Sequence, residues 1–452
     1  MAQSETIKNN IVEGVIWKQL IIFFFPIVLG TFFQQLYNTA DTIVVGQYVG
    51  KDALASVGGS ASQIINLIVG FFVGLSSGAT VIIAQHYGAK NKSGLTKTLH
   101  TAFAIAIVGS IIISILGFIF VPNILRLMKT PENLMDMSTV YLRIYFAGII
   151  FVFIYNVGSG ILRAVGDSKH PMYFLIVCCI INITLDILFV AVFKMGVSGV
   201  AIATLIAQAV SAILVVITLI RTTDMHRLKI RKIGFNMVAF GSILYIGIPS
   251  AFQSTMYNIA NVFIQSSLNK QGTDTVAAWT ILGKLDSLNW LVVSAFGIAI
   301  TTFIGQNYGA KKFDRVRKSV KICLGMTLMS TLTLTIIFVL TGRFVFSLFT
   351  DDKNVIEIGL KMLSVLAPAY IIYVPIEIFS GALRGINNVI VPMILTCMGV
   401  CVLRILWLIA VVPMYNTLDS ILVIFPISWT ITAIFFTIYY IIKQRKFPLE
   451  AE

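Results

Sequence analysis

Charge is what this chain has least of. Charged residues fill 12% of its 452 positions, against about 25% in a soluble globular chain. A soluble protein with 58% hydrophobic residues would expose large apolar patches, so a soluble fold is excluded. Histidine is scarce too: His86, His100, His170 and His226 are scattered near loops and segment ends, and no metal site is expected. The five cysteines, Cys178, Cys179, Cys323, Cys397 and Cys401, lie inside apolar runs without zinc or redox spacing. They read as small buried apolar residues. No basic stripe interleaved with aromatics accompanies the net charge of +14, so nucleic acid is not the partner. No nucleophile with its base and no metal-binding histidine pair is present, so neither an enzyme nor a cofactor is expected. No small-residue cleavage site follows the first apolar run, which starts near Ile16. That run is expected to be a retained span and not a signal peptide.

What the chain has in abundance is long apolar runs. Their lengths suit a hydrocarbon core of about 30 Å, and only helices satisfy every backbone group within one segment in lipid. The pattern predicts an all-α integral membrane protein with twelve transmembrane helices in two pseudo-symmetric six-helix lobes. The predicted spans are 16–46, 53–82, 98–121, 138–162, 171–194 and 197–220, then 237–267, 275–304, 319–341, 359–384, 391–414 and 418–442.

The two sets of six are a repeat. Ala84-Gln85-His86-Tyr87-Gly88-Ala89-Lys90 returns as Gly305-Gln306-Asn307-Tyr308-Gly309-Ala310-Lys311. Ser159-Gly160-Ile161-Leu162-Arg163 returns as Ser380-Gly381-Ala382-Leu383-Arg384, and Pro171-Met172 as Pro392-Met393. Every pair is 221 residues apart, and Tyr37-Asn38 and Tyr257-Asn258 are 220 apart. One offset across several motifs marks a duplication, which in an apolar chain points to a transporter of two halves. The expected boundaries are an N-lobe over 1–220, a basic linker over 221–236 and a C-lobe over 237–452. Six spans per half make the repeat parallel, with the cargo cavity expected between the lobes.

Basic residues set the expected orientation. With the N-terminus inside, 22 of the 33 Lys and Arg fall in inside segments and 7 in outside loops. The other four, Arg143, Lys284, Lys361 and Arg404, lie in or near spans. Both termini are therefore expected on the cytoplasmic side of a cell inner or plasma membrane.

An ionised residue at mid-membrane costs about 2.5 kcal/mol or more, so each one needs a reason. Asp186 lies about eight residues from the outer end of span 5, roughly 12 Å deep at helical rise. Asn182, four residues earlier, shares its face. Thr204 in span 6 and Asp41 in span 1 lie at a matching level. Such an oxygen cluster suits a proton or a small alkali cation; the bland reading is a polar contact between helices. Glu377 in span 10, just after Pro375, reads either as a second protonation or substrate site or as a partner of Arg404 or Lys284. Pro26 in span 1 reads as a hinge or as a static kink. Gln34, Tyr37, Phe153, Tyr155, Asn156, Trp279 and Trp290 are candidates to line a cavity for aromatic or cationic ligands. Gly70, Gly74 and Gly78 form a small-residue ladder for close helix packing.

With these residues in place, the chain resembles the MATE (multidrug and toxic compound extrusion) transporter family over nearly its whole length. The resemblance rests on the two six-span halves and the Gln-x-Tyr-Gly-Ala-Lys loops after spans 2 and 8. It rests also on Ser-Gly-x-Leu-Arg ending spans 4 and 10, and on Pro26 with Asp41 in span 1. It implies export of amphipathic, often cationic, organic compounds or drugs by alternating access, driven by entry of H⁺ or Na⁺. It implies a cation site at Asp41, Asn182, Asp186 and Thr204, bending of span 1 at Pro26, and no cofactor beyond the coupling ion. Where some members carry a carboxylate in span 7, this chain has Gln253 and Asn261. The substrate-facing candidates taken forward are Gln34, Tyr37, Asn156, Trp279 and Glu377. The expected partners are small organic molecules and the lipid bilayer, with the monomer as the working unit. The alternative is a flippase for a lipid-linked saccharide or other lipid-like cargo, which favours a larger basic cavity than the acidic residues here suggest.

Overall fold

The computed structural model describes residues 9–448. Lys8, counted above among the inside basic residues, lies outside the described residues, as do both extreme termini. Among the described residues all regular secondary structure is helical. Helices α1 to α3 cover Ile16–Tyr48, Lys51–Gly88 and Lys92–Leu127. Helix α4 is a bent pair, Glu132–Ala147 and Ile149–Ala164, and α5 and α6 cover Lys169–Val192 and Gly196–Arg221. Helices α7 to α12 cover Met237–Asn269, Thr273–Gly309, Phe313–Ser347, Lys353–Gly385, Ile390–Tyr415 and Leu418–Gln444. Eleven of these cross a membrane by length and composition, and the bent α4 makes the twelfth.

Six of the twelve helices overrun the predicted apolar limits by a turn or more, because polar residues such as those of 313–318 extend a helix into the interface without breaking it. The exception in kind is α4. It bends by 48° at Gly148, where an added Cβ would lie 2.6 Å from Leu205 Cγ. The bend lets α6 approach the backbone, which only glycine permits.

Two compact units divide the chain: Phe25–Ala251, and the residues up to Phe24 together with those from Phe252 onward. Helix α1 changes unit two residues before Pro26, and α7 two residues after Pro249. Both helices continue through their prolines, as membrane helices do when neighbours satisfy the freed carbonyl.

The sequence repeat is also a repeat of backbone geometry. Two residues past the end of α2 Lys90 has φ 54°, and two past the end of α8 Lys311 has φ 59°. In each, the next residue closes the turn: Asn91 N–H donates to His86 O at 2.8 Å, and Lys312 N–H to Asn307 O at 2.9 Å. This is a left-handed helix stop, which explains why the loop sequence is written twice. The glycine of Ser-Gly-x-Leu-Arg has the same explanation in both halves. A Cβ on Gly160 would lie 2.6 Å from Thr80 Oγ1, and one on Gly381 would lie 3.0 Å from Thr301 Oγ1. Thr80 and Thr301 are themselves 221 apart. The glycine ladder of α2 is likewise a packing device: a Cβ on Gly74 would lie 2.5 Å from the Ala251 backbone.

Candidate functional site

In the first unit, one buried polar cluster joins α1, α5 and α6. Asn182 and Asp186 are fully buried on one face of α5, Asp41 is 7% exposed and Thr204 8%. Asn182 Nδ2 donates to Thr204 Oγ1 at 3.4 Å, and Thr204 Oγ1 donates to Asp41 Oδ2 at 3.3 Å. Four oxygens have no donor: Asp41 Oδ1, Asn182 Oδ1 and both carboxylate oxygens of Asp186. Among the described residues no Lys, Arg or His forms an ion pair with either acid. Immediately after Asp186, α5 widens into a π-helical stretch, Ile187–Val192, a local irregularity that frequently accompanies functional residues.

One turn before Asp41 in the same helix, buried Tyr37 accepts a hydrogen bond from Gln208 Nε2 at 2.9 Å. Gln208 was not singled out from the sequence, although it sits four residues after Thr204 and so on the same helix face. Gln34, half-buried, precedes Tyr37 by three residues. Asn156 turns its amide back to Val152 O at 2.8 Å and lines a narrow crevice with Phe72, Ser76 and Phe153.

In the second unit the polar residues are arranged differently. Glu377 pairs with Arg384 at 3.6 Å and accepts from Tyr373 OH at 3.4 Å, while Tyr373 OH contacts Tyr257 OH at 3.1 Å. The expected partners, Arg404 or Lys284, are not the ones found. Lys284 is exposed, and Arg404 is held elsewhere. Arg384 is seven residues after Glu377, two helical turns along one face, and that spacing is the signal that could have identified it. Asp286 accepts a hydrogen bond from Tyr370 OH.

Arg404 is 5% exposed and has no carboxylate partner among the described residues. Its guanidinium lies 4.3 Å from the Phe425 ring centroid and 5.1 Å from that of Trp429. Nε donates to Ser428 Oγ at 3.0 Å, and Nη2 has no acceptor. Trp279 packs on Phe425, and Trp290 on Tyr373 and Trp429, so the candidate tryptophans belong to this arginine-centred aromatic group. The acidic cluster of one unit and the buried guanidinium of the other are opposite in charge.

On the loop side of the first unit, Tyr87 of the repeated motif donates to Asp224 Oδ2 at 3.0 Å, and His226 Nδ1 lies 3.3 Å from the same oxygen. The close approach of His226 is the main influence pulling the Asp224 carboxyl down to about 2.

Comparison with known proteins agrees with this architecture. The MatE family profile matches residues 26–188 and 249–409. The probable multidrug resistance protein YoeA of Bacillus subtilis is 28% identical over 394 residues, covering 85% of this chain and 84% of its own. The FAD transporter of Shewanella oneidensis is 25% identical over 98% of each chain. An outward-facing multidrug resistance MATE family transporter of the MOP superfamily superposes with a TM-score of 0.91 at 23% identity, over 98% of this chain and 99% of that one. The chain therefore belongs to the MatE family: it is a multi-pass membrane transporter and not an enzyme.

Proposed function

We propose that the protein is a cation-coupled antiporter that exports amphipathic, often cationic, organic compounds, with H⁺ or Na⁺ held by Asp41, Asn182, Asp186 and Thr204. The observation that carries this is the set of four buried oxygens without a donor. Burying two carboxylates without a counter-charge costs several kcal/mol per ion. A shared proton or a small hard cation removes that cost, and an oxygen-only donor set suits either. A site whose occupant neutralises it couples readily to a gradient. Entry of one positive charge gains about 2.3 kcal/mol per 100 mV, enough to support a gradient of roughly fiftyfold for a neutral cargo molecule.

Pro26 is the proposed hinge, fifteen residues before Asp41 in the same helix. Gln34, Tyr37, Asn156, Trp279 and Glu377 are the proposed cargo contacts. The distribution of basic residues supports a plasma-membrane protein with both termini cytoplasmic. Relatives named as multidrug resistance proteins support a drug-like cargo.

A second reading is export of an anionic aromatic cargo. It is supported by the unpaired, ring-flanked guanidinium of Arg404, and a relative named as an FAD transporter is in keeping with it.

The test is export of ethidium from proteoliposomes under an imposed pH gradient, then under an imposed Na⁺ gradient, with FAD in parallel. Ethidium export under either gradient supports the first reading and names the ion. Export of FAD but not ethidium selects the second. No movement of either by folded protein contradicts both.

A further inference from the structure

Away from the acidic cluster, the first unit holds a groove of about 700 Å³ where the linker meets the start of α3. Lys92, Lys97 and Lys232 line it, with Thr96 and Asn236, and no carboxylate does. The walls are built and not merely adjacent. Lys229 N–H donates to His100 Nε2 at 3.1 Å, and Asn236 N–H donates to Thr101 Oγ1 at 3.1 Å. Thr101 Oγ1 donates in turn to Gly234 O at 3.4 Å. His100 and Thr101 are 3% and 0% exposed, so the linker is strapped over α3 by buried side chains. Three cations therefore converge on preorganised space without an internal anion.

The rim identifies the source of the missing anion. Ile230, Phe235, Met237 and Val238 are 63%, 46%, 73% and 80% exposed. These apolar side chains flank Lys232 at the point where α7 enters its membrane span. Basic residues beside exposed apolar ones at a span end suit an anionic lipid, whose headgroup meets the lysines while its acyl chains meet the rim. We propose that this groove binds a phosphate group, and that the phosphate is the headgroup of an anionic phospholipid. The site is separate from the proposed ion and cargo sites and does not depend on them.

The test uses the full chain in neutral detergent, titrated with dioctanoyl phosphatidylglycerol, dioctanoyl phosphatidylcholine and sn-glycerol 3-phosphate, with binding read by native mass spectrometry. The anionic lipid should bind at least roughly tenfold more tightly than the zwitterionic one. Lys92→Gln/Lys97→Gln/Lys232→Gln should abolish that preference, while Lys318→Gln/Lys321→Gln/Lys446→Gln, which removes equal charge from other exposed positions, should retain it. All six lysines are exposed, so both variants should fold, and an unchanged thermal midpoint verifies it. Equal binding of the two lipids, or equal losses in the two variants, would overturn the site. Competition by glycerol 3-phosphate at matched concentration would overturn the lipid assignment in favour of a soluble phosphate.

Discussion

Thr204 Oγ1 donates its hydrogen bond to Asp41 Oδ2, joining α6 to α1 across 163 positions of sequence. The same hydroxyl accepts from Asn182 Nδ2, so it spends its proton on the carboxylate and its lone pair on the amide. A hydroxyl placed this way ties the Asn182 amide and the Asp41 carboxyl group to one point and leaves Asp41 Oδ1 and Asn182 Oδ1 without a donor. Thr204→Val keeps the shape and removes both bonds. Each is worth about 1 kcal/mol. The variant should fold, and the ion concentration for half-maximal export should rise about fivefold or more, measured in proteoliposomes.

The Glu377–Arg384 pair makes a different prediction. Removing one member of a half-buried ion pair strands the other, and Arg384 Nε already lacks an acceptor. Glu377→Ala should lower the thermal midpoint of the purified protein, at a cost of about 1–3 kcal/mol after allowance for solvent screening. Glu377→Gln, which can still accept from Tyr373 and Arg384, should cost less. Equal midpoints for wild type and both variants would contradict the pairing.

Helix contact at the repeated glycines is tight enough to be tested by one methyl-bearing side chain. At Gly381 an added Cβ meets the Gly297 carbonyl oxygen at 2.9 Å and Ile300 Cγ2 at 2.8 Å. Because backbone cannot rotate away, Gly381→Val should destabilise by about 1–3 kcal/mol. Gly160→Ala, facing the Thr80 hydroxyl, should cost less. Thermal unfolding in detergent compares the two.

The linker carries the pH-dependent contact. Asp224 is held down to about 2, first by His226 and then by the Met225 amide and the Tyr87 hydroxyl. A carboxyl held low in the folded state contributes stability that is present above its unfolded value of about 4, and that stability is lost as pH falls through about 2. Asp224→Asn should therefore increase proteolytic cleavage of the linker at pH 5 and above. The difference from wild type should shrink only below pH 4.

Much of this molecule is legible in the sequence, for reasons that differ from residue to residue. The duplicated loops were visible because a left-handed helix stop and a close helix crossing each demand particular residues, and the chain writes them twice. Asp41, Asn182, Asp186 and Thr204 could be set at one level because helical rise converts span position into depth. The partner of Glu377 could not be found that way. Depth does not fix rotation about a helix axis, so Arg404 and Lys284 were as eligible as Arg384 until the packing oriented them. The aromatic shell of Arg404 was hidden for the same reason: Phe425 and Trp429 come from α12, and nothing along α11 points to them. The glycine at the bend is needed because Leu205, fifty-seven residues away, packs against its backbone.

The most direct test of the coupling site is export by Asp186→Asn. Wild type and variant are reconstituted at equal density and compared for ethidium export under the gradient that drives the wild type. Asparagine is nearly the same size and leaves one buried carboxylate, Asp41, in place of two. The protein should stay folded, with an unchanged thermal midpoint or a slightly raised one, while gradient-driven export falls to the level of protein-free vesicles. Full export by a folded Asp186→Asn variant would contradict the assignment of the ion to this cluster.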